Sequence, residues 1–441
     1  MIINPIITFL GIRESLPYNI QSLVQKFLIL ASFQSMIFFV SGTFYILFII
    51  DKVGYAELGI LAGVSFLVQA TLDYPSGSLG DWIGQRWTLA IAFFTYGLSY
   101  LLLVFANNFT DLLIVYILVA VAASQESGSL QSWFDNNYRY GAKEVDVNRR
   151  VYQLFQGKIS MILGLLWAVA ILIGGILATY FFREIVFMFQ SIGMFFLALA
   201  SFAFVKDLPG FKRTEVSPKK YFLIFIKGLK FTFTKTHIFF FVVALCVSNA
   251  LWSVWGNMIL FPLYFGYTGD DLGAGIFRFL AWIGAAITAA KAAQVATRLN
   301  EIKWIPRLEL FVMLGYFGFF AILIAIFPLN NNLNLTGIIL TIAAMFFLDM
   351  GVNAVENLRQ KLFLDLIPDE IRNSIYSLIP TLTLIVSAPV VSIAGGVVET
   401  IGFPITLGIL AGLSIIAAFF YYISTRMMPP IRLDSNNENS L

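Results

Sequence analysis

The chain has 441 residues, of which 59% are hydrophobic and 12% charged, with a formal net charge of +3. Soluble domains carry about 25% charged residues, so this composition excludes a soluble globule, and the small net charge gives no nucleic acid a basic surface to hold. One cysteine (Cys246) and one histidine (His237) exclude an intrachain disulfide and a cysteine–histidine metal site, and no phosphate-binding GxxxxGK[ST] loop occurs. No cofactor is expected, and an enzyme is the weakest reading because no catalytic cluster can be assembled.

Residues 1–25 hold Pro5, Arg13 and Pro17 without a small-residue cleavage site, and read as a cytoplasmic segment, not a cleaved signal. Twelve apolar stretches follow, at 26–50, 56–76, 87–106, 111–134, 150–180, 184–205, 238–266, 271–297, 305–328, 335–362, 371–398 and 402–424. The stretch TLAIAFFTYGLSYLLLVFA at 88–106 carries no charge, enough to cross a hydrocarbon core of about 30 Å. Period-2 alternation is absent, and lipid tolerates no unpaired backbone, so the spans are helices. The fold class is an all-α polytopic membrane protein. Six-helix bundles at 26–205 and 238–424 flank a linker at 206–237, and a tail closes the chain at 425–441.

With both termini inside, 23 of the 28 Lys and Arg residues fall to the inner side. Two (Lys52, Arg183) fall on the opposite face and three (Lys158, Arg278, Lys291) within spans. This asymmetry sets the orientation and places the protein in the cell membrane with both ends cytoplasmic. The sequons at Asn108 and Asn334 fall on the outer side. The second half of the linker, KKYFLIFIKGLKFTFTKTH, puts five lysines in one half-circle and Phe222, Phe225, Leu229 and Phe233 opposite. It reads as a helix lying on the inner leaflet, with a solvated basic linker as the alternative.

Six spans plus six suggest a duplication. Gly174-Gly175 and Gly395-Gly396 are 221 residues apart, as are Asp135 and Glu356; Asp81 and Glu301 are 220 apart. Arg149 or Arg150, entering span 5, corresponds to Arg372, entering span 11. The same charge types thus recur at the same inner helix ends.

The stretch GSLGDWIGQRWTL at 77–89 carries Gly77, Leu79, Asp81, Gly84, Arg86 and Leu89. In this register it resembles the signature G-x-L-x-D-x-x-G-x-R-x-x-L between spans 2 and 3 of the major facilitator superfamily. LDYPSG, with Asp73, resembles the lead-in of that motif. ESGSLQSWFD at 126–135 resembles the end of span 4, and PDEIRNSIYSL at 368–378 the loop entering span 11. The proline-glycine motif of drug antiporters in span 5 is not matched. The resemblance implies two six-helix bundles, alternating access and a central cavity lined by spans 1, 4, 7 and 10. On this reading Gly77 and Gly84 allow a tight turn between helices 2 and 3. Asp81 and Arg86, with Asp135, Arg149, Arg150, Glu301, Arg307, Glu356 and Arg372, form a cytoplasmic gate. Static caps that orient the loops are the alternative.

Charges at lipid depth are functional candidates by default. In span 10, Asp349, Asn353, Glu356 and Gln360 share one helical face. Span 4 offers Gln125, Glu126, Ser129 and Asp135, span 1 offers Gln34, Ser41 and Tyr45, and span 7 offers Asn249, Trp252 and Ser253. Gln34, Glu126, Asn249, Asp349 and Asn353 are the candidates for binding solute or proton, with a helix–helix hydrogen bond as the alternative for the two carboxyls. Asp349 has no basic partner expected at its own depth. Arg278, about 10 Å from the outer end, is expected to snorkel outward, as Lys158 and Lys291 are expected to do inward. Trp252 and Trp255 are not read as a substrate box. The expected function is secondary active transport of a small organic solute, coupled to protons, by a monomer. An uncoupled facilitator and a transporter-shaped receptor or scaffold are the alternatives.

Overall fold

The computed structural model describes residues 5–13, 15–147, 149–207, 218–367 and 372–428, and every regular element among them is a helix. The short α1 (Pro5–Leu10) lies against the start of the fifth pass, where the Lys158 ammonium donates to the Phe9 carbonyl at 2.7 Å. Lys158 is therefore tied to the N-terminal helix instead of reaching freely for the interface. The first pass is α2 (Tyr18–Phe39), eight residues earlier than expected, followed by an irregular stretch at 40–44 and the start of α3 (Tyr45–Ile83). A break at Gly54 (φ 78°, ψ −178°) ends the first pass and begins the second within α3.

The expected turn at 77–89 is much shorter than its glycines suggest. Helix α3 continues through Gly77 and Gly80 to Ile83, and α4 (Gln85–Phe105) starts two residues later. Gly84 alone makes the turn, at φ 93°. A side chain is excluded there both by the backbone and by space, since a Cβ would lie 2.5 Å from the Asp207 carboxylate. Asp207 instead accepts the Gln85 N–H at 3.0 Å, supplying from beyond α8 the cap that α4 lacks.

The remaining helices are α5 (Phe109–Glu126), α6 (Ser129–Gly141), α7 (Arg150–Tyr180), α8 (Arg183–Phe204), the linker helix α9 (Pro218–Thr234), α10 (Thr236–Val254), α11 (Leu260–Thr268), α12 (Asp271–Ala296), α13 (Glu301–Ile326), α14 (Leu335–Leu366) and α15 (Arg372–Arg426). Helices α10 and α11 are joined by a π-turn at Trp255–Ile259 into one pass, and α5 and α6 make another across Ser127 and Gly128. Among the described residues ten helices are long and apolar enough to cross a membrane. The last of these is divided at Gly402 (φ 78°, ψ 175°), and α3 beyond Gly54 adds one more, consistent with twelve passes. In the linker helix, Phe222 and Phe225 lie outside the described side chains, while Phe233 packs on Phe239 at 5.3 Å. The sequon residues Asn108 and Asn334 act as N-caps, accepting from the Asp111 and Gly337 N–H groups at 3.0 and 2.9 Å.

Helix α7 starts from a cap the sequence reading overlooked. Asp146 accepts the N–H groups of Val151 (3.2 Å) and Tyr152 (2.9 Å) and the Tyr138 hydroxyl (2.8 Å). Burial opposes its ionisation, but these donors outweigh burial and hold its carboxyl below the usual carboxylate range. The stabilisation is complete above the ordinary value near about 3.9 and is lost as pH falls through the lowered folded value. Asp146→Asn is expected to cost about 1–2 kcal/mol at neutral pH, read as a lower Tm of the purified protein. The difference from the unaltered chain should shrink in acid; a difference independent of pH would show that the charge plays no part.

The two halves meet along two seams. In one, Gly59 of α3 faces Gly395 of α15 so closely that a Cβ at Gly395 would lie 2.3 Å from the Tyr55 carbonyl oxygen. In the other, a Cβ at Gly175 of α7 would lie 2.6 Å from the Asp271 carbonyl oxygen of α12. The repeated glycine pairs of spans 5 and 11 therefore occupy matching places, each where one half presses on the other. Both seams lie toward the face opposite Tyr18 and Arg426, here the distal face; the face on which α2 begins and α15 ends is the terminal face.

Candidate functional site

Three passes are irregular near mid-length: the first at 40–44, the fourth at Ser127 and Gly128 (Gly128 φ 69°), and the seventh at Trp255–Ile259. Irregular backbone at lipid depth is tolerated where protein or a cavity takes up the freed polar groups, and such breaks recur at binding sites. Each carries a glycine beside a polar residue: Ser41-Gly42-Thr43, Ser127-Gly128-Ser129 and Gly256-Asn257. That pattern was the available signal for the breaks, which the apolar periodicity alone conceals.

Two cavities lie beside them. The first, of about 520 Å³, belongs to the N-terminal half and is lined by Gln34, Phe39, Glu126, Gln131 and Trp167 among others. Glu126 is the last residue of α5, and the Gln34 amide donates to it at 2.6 Å. Two of the expected solute or proton residues are thus brought together across spans 1 and 4. The Ser127 hydroxyl of the same break hydrogen-bonds to Asp73 of α3. The second cavity, of about 170 Å³, belongs to the C-terminal half, and Asp349, Arg278, Tyr264, Trp282 and Tyr316 line it. Between the cavities Phe39 stacks on Trp167 (4.7 Å), and Trp282 meets both rings edge-on at 6.2 and 5.6 Å.

Asn249 and Asn353 line neither of these cavities. The Asn353 amide donates back to the Asp349 carbonyl at 2.7 Å, and the Asn249 carbonyl accepts from Ser253 at 2.9 Å. Trp255, set aside by the sequence reading, does line the second cavity. Arg278 corrects a further expectation. Instead of snorkelling outward it is buried, 6% exposed, with its guanidinium 4.6 Å from the Phe261 ring centroid and on the same cavity as Asp349. Its direction follows from packing: the glycine at position 42 leaves room, since a Cβ there would lie 3.1 Å from the Arg278 Nη1. Asp349 therefore does have a cation at its level, although no ion pair joins the two among the described residues.

Of the charges expected at the inner edge, Asp135, Arg149, Glu301 and Glu356 pair within their own halves. Asp135 binds Arg139 at 2.9 Å and also Arg149, whose guanidinium lies 4.1 Å from the Tyr152 ring centroid. Glu301 pairs with Lys361, and Glu356 with Arg359 three residues on. Arg86 lies over Phe202 at 5.0 Å and Arg307 over Trp304 at 5.9 Å, while Arg150 is exposed. The side chains of Asp81 and Arg372 lie outside the described residues.

Charged contacts between the halves occur at the distal face. Arg183, first residue of α8, makes a two-pronged bond to Asp271 of α12 at 3.0 Å on each prong, and reaches Asp51 at 2.8 Å. Glu399 of α15 accepts the Ala56 N–H of α3 at 2.7 Å.

One buried network escaped the sequence reading. Arg359, counted with the inner basic residues, is 4% exposed, and Glu309 of α13 is 0% exposed. Arg359 donates to Ser248 (3.1 Å), to the Tyr421 hydroxyl (3.3 Å) and to Glu309 (3.4 Å), and pairs with Glu356. A lone glutamate inside the ninth apolar stretch was the available signal.

A family model described as Major Facilitator Superfamily matches residues 27–389. No curated protein matches the sequence. Among solved structures, the nucleoside transporter NupG superposes with a TM-score of 0.72 at 13% identity, over 91% of this chain and 98% of that one. A bacterial homologue of the human lysosomal transporter Spinster, described as inward-facing and occupied, gives 0.64 at 14% identity, over 93% and 97%. The POT family transporter PepTSo gives 0.68 at 9% identity, over 92% and 97%. At such identities the likeness is one of fold.

Proposed function

The chain belongs to the Major Facilitator Superfamily, and from that premise we propose that it is a secondary active transporter of a small organic solute, coupled to protons. It works by alternating access in the cell membrane with both termini cytoplasmic. The observation that carries this reading is the placement of one carboxyl in each half-cavity, Glu126 and Asp349, on either side of a thin aromatic partition. A carboxyl facing a cavity that opens alternately to two sides can take a proton on one side and release it on the other.

We read the closed distal seams, with Asp135, Arg149, Glu301 and Glu356 paired within their own halves, as the inward-facing state. In the opposite state Asp81, Arg86, Asp135, Arg149, Arg150, Glu301, Arg307, Glu356 and Arg372 close the cytoplasmic side. A few kcal/mol of such pairing, about the scale of a two-state conformational balance, is enough to set the population of each state.

The test is transport in proteoliposomes. Asp349→Asn is expected to keep solute exchange while losing accumulation against a gradient, because a neutral amide imitates the loaded carboxyl but cannot release a proton. Glu126→Gln should do the same if it shares the proton. If both variants still concentrate solute with unchanged pH dependence, the carboxyls are structural and uncoupled facilitation replaces this reading.

A further inference from the structure

We infer that the solute is a small organic monoanion, a carboxylate on a flat apolar body, and that Arg278 is the residue that holds its charge. This rests on the transporter reading above and names the substrate class of the same cavity. Arg278 is 6% exposed, and neither its Nε nor its Nη1 has a hydrogen-bond partner among the described residues. A guanidinium is a planar fork of donors matched to a carboxylate, and enclosing one without acceptors is costly. The Trp167 Nε1, on the partition between the cavities, is likewise enclosed and unpartnered.

The enclosed unmet groups here are thus N–H donors, Arg278 on the second cavity and Trp167 on the first, which a ligand satisfies by bringing acceptors. The Asp349 carboxylate also has no hydrogen-bond partner among the described residues, but it lines the cavity, where the proton proposed above neutralises it. That asymmetry favours an anion over a cationic or zwitterionic solute. A single unpaired cation facing one carboxylate matches one negative charge better than two. Trp255, Trp282, Tyr264 and Tyr316 supply flat apolar walls, suited to an aromatic or similarly planar body.

The experiment is binding to the purified full-length protein in detergent, read by thermal stabilisation and tryptophan quenching. The probes are benzoate and indole-3-acetate, their neutral amides, and benzylamine. The acids are expected to stabilise the protein and the amides and amine to do so at least tenfold less effectively. Arg278→Gln should abolish the response to the acids while the Tm of the unliganded protein rises or holds, since an unsatisfied buried cation is removed, and Arg278→Lys should retain part of the response. The inference is overturned if the amides match the acids, if benzylamine binds best, if no acid binds at millimolar concentration, or if Arg278→Gln responds as the unaltered chain does. Uptake of labelled benzoate by proteoliposomes separates the two readings. Binding without uptake refutes transport of the bound acid while leaving the anion site standing. Uptake of neutral solutes that is indifferent to Arg278→Gln keeps the transporter and removes the anion site.

Discussion

Arg183→Gln is expected to cut transport at least tenfold and to shift the resting protein away from the state described here. Arg183 and Asp271 join the halves by two parallel bonds, and their side chains are only 18% and 11% exposed. Removing one partner of a well-enclosed pair costs about 3–5 kcal/mol; at this partly wet rim about 2 kcal/mol is the better figure, a population shift of roughly thirtyfold. Asp51 is 67% exposed, so its share of the Arg183 interaction is small. The glycine contacts of the seam remain, which is why the variant should still fold. A cysteine at Ser35→Cys, on the first cavity, reports the state in a Cys246→Ser background. Its labelling from the terminal face should fall in Arg183→Gln and recover when Arg183→Asp is combined with Asp271→Arg. Unchanged labelling and unchanged transport would mean that the pair is decoration on a seam held by packing alone.

The second large effect is on stability. Arg359→Met should destabilise the C-terminal half by about 3–5 kcal/mol, because it leaves the carboxylate of Glu309 buried without its cation. Glu309→Gln alone should cost less than Arg359→Met, since Ser248, Glu356 and Tyr421 still hold the guanidinium. The double variant Glu309→Gln, Arg359→Met should recover a good part of the loss, since no buried unpaired charge then remains and Glu356 is 58% exposed. Thermal unfolding of the purified variants measures all three, and a double variant less stable than Arg359→Met alone would show that the network contributes through packing and not through charge compensation.

Much of the architecture is readable along one dimension. Apolar run length reports bilayer thickness and basic residues report the inner side, so the passes and the two halves follow from residues taken one window at a time. The offset of 221 between Gly174-Gly175 and Gly395-Gly396 likewise reveals a repeat before any contact is known. Helix ends were less legible. A single glycine costs a helix only about 1 kcal/mol, so α3 runs on through Gly77 and Gly80, and the turn comes only at Gly84.

The candidate site divides along the same physical line. Sequence by itself determined that Gln34, Glu126 and Asp349 were costly polar groups within apolar helices, because hydrophobic periodicity marks which residues break an apolar face, and the family resemblance implied that those helices line a cavity. Only the tertiary structure decided what they and their neighbours touch. Arg278 could reach outward or inward from the same backbone position, and the space left at Gly42 chose inward. Glu309 and Arg359 meet across two helices, and Arg183 finds Asp271 across the two halves. Charge type and depth are local properties of a residue, whereas its partner depends on the packing angles and close approaches of helices distant in the chain, which no single window of sequence contains.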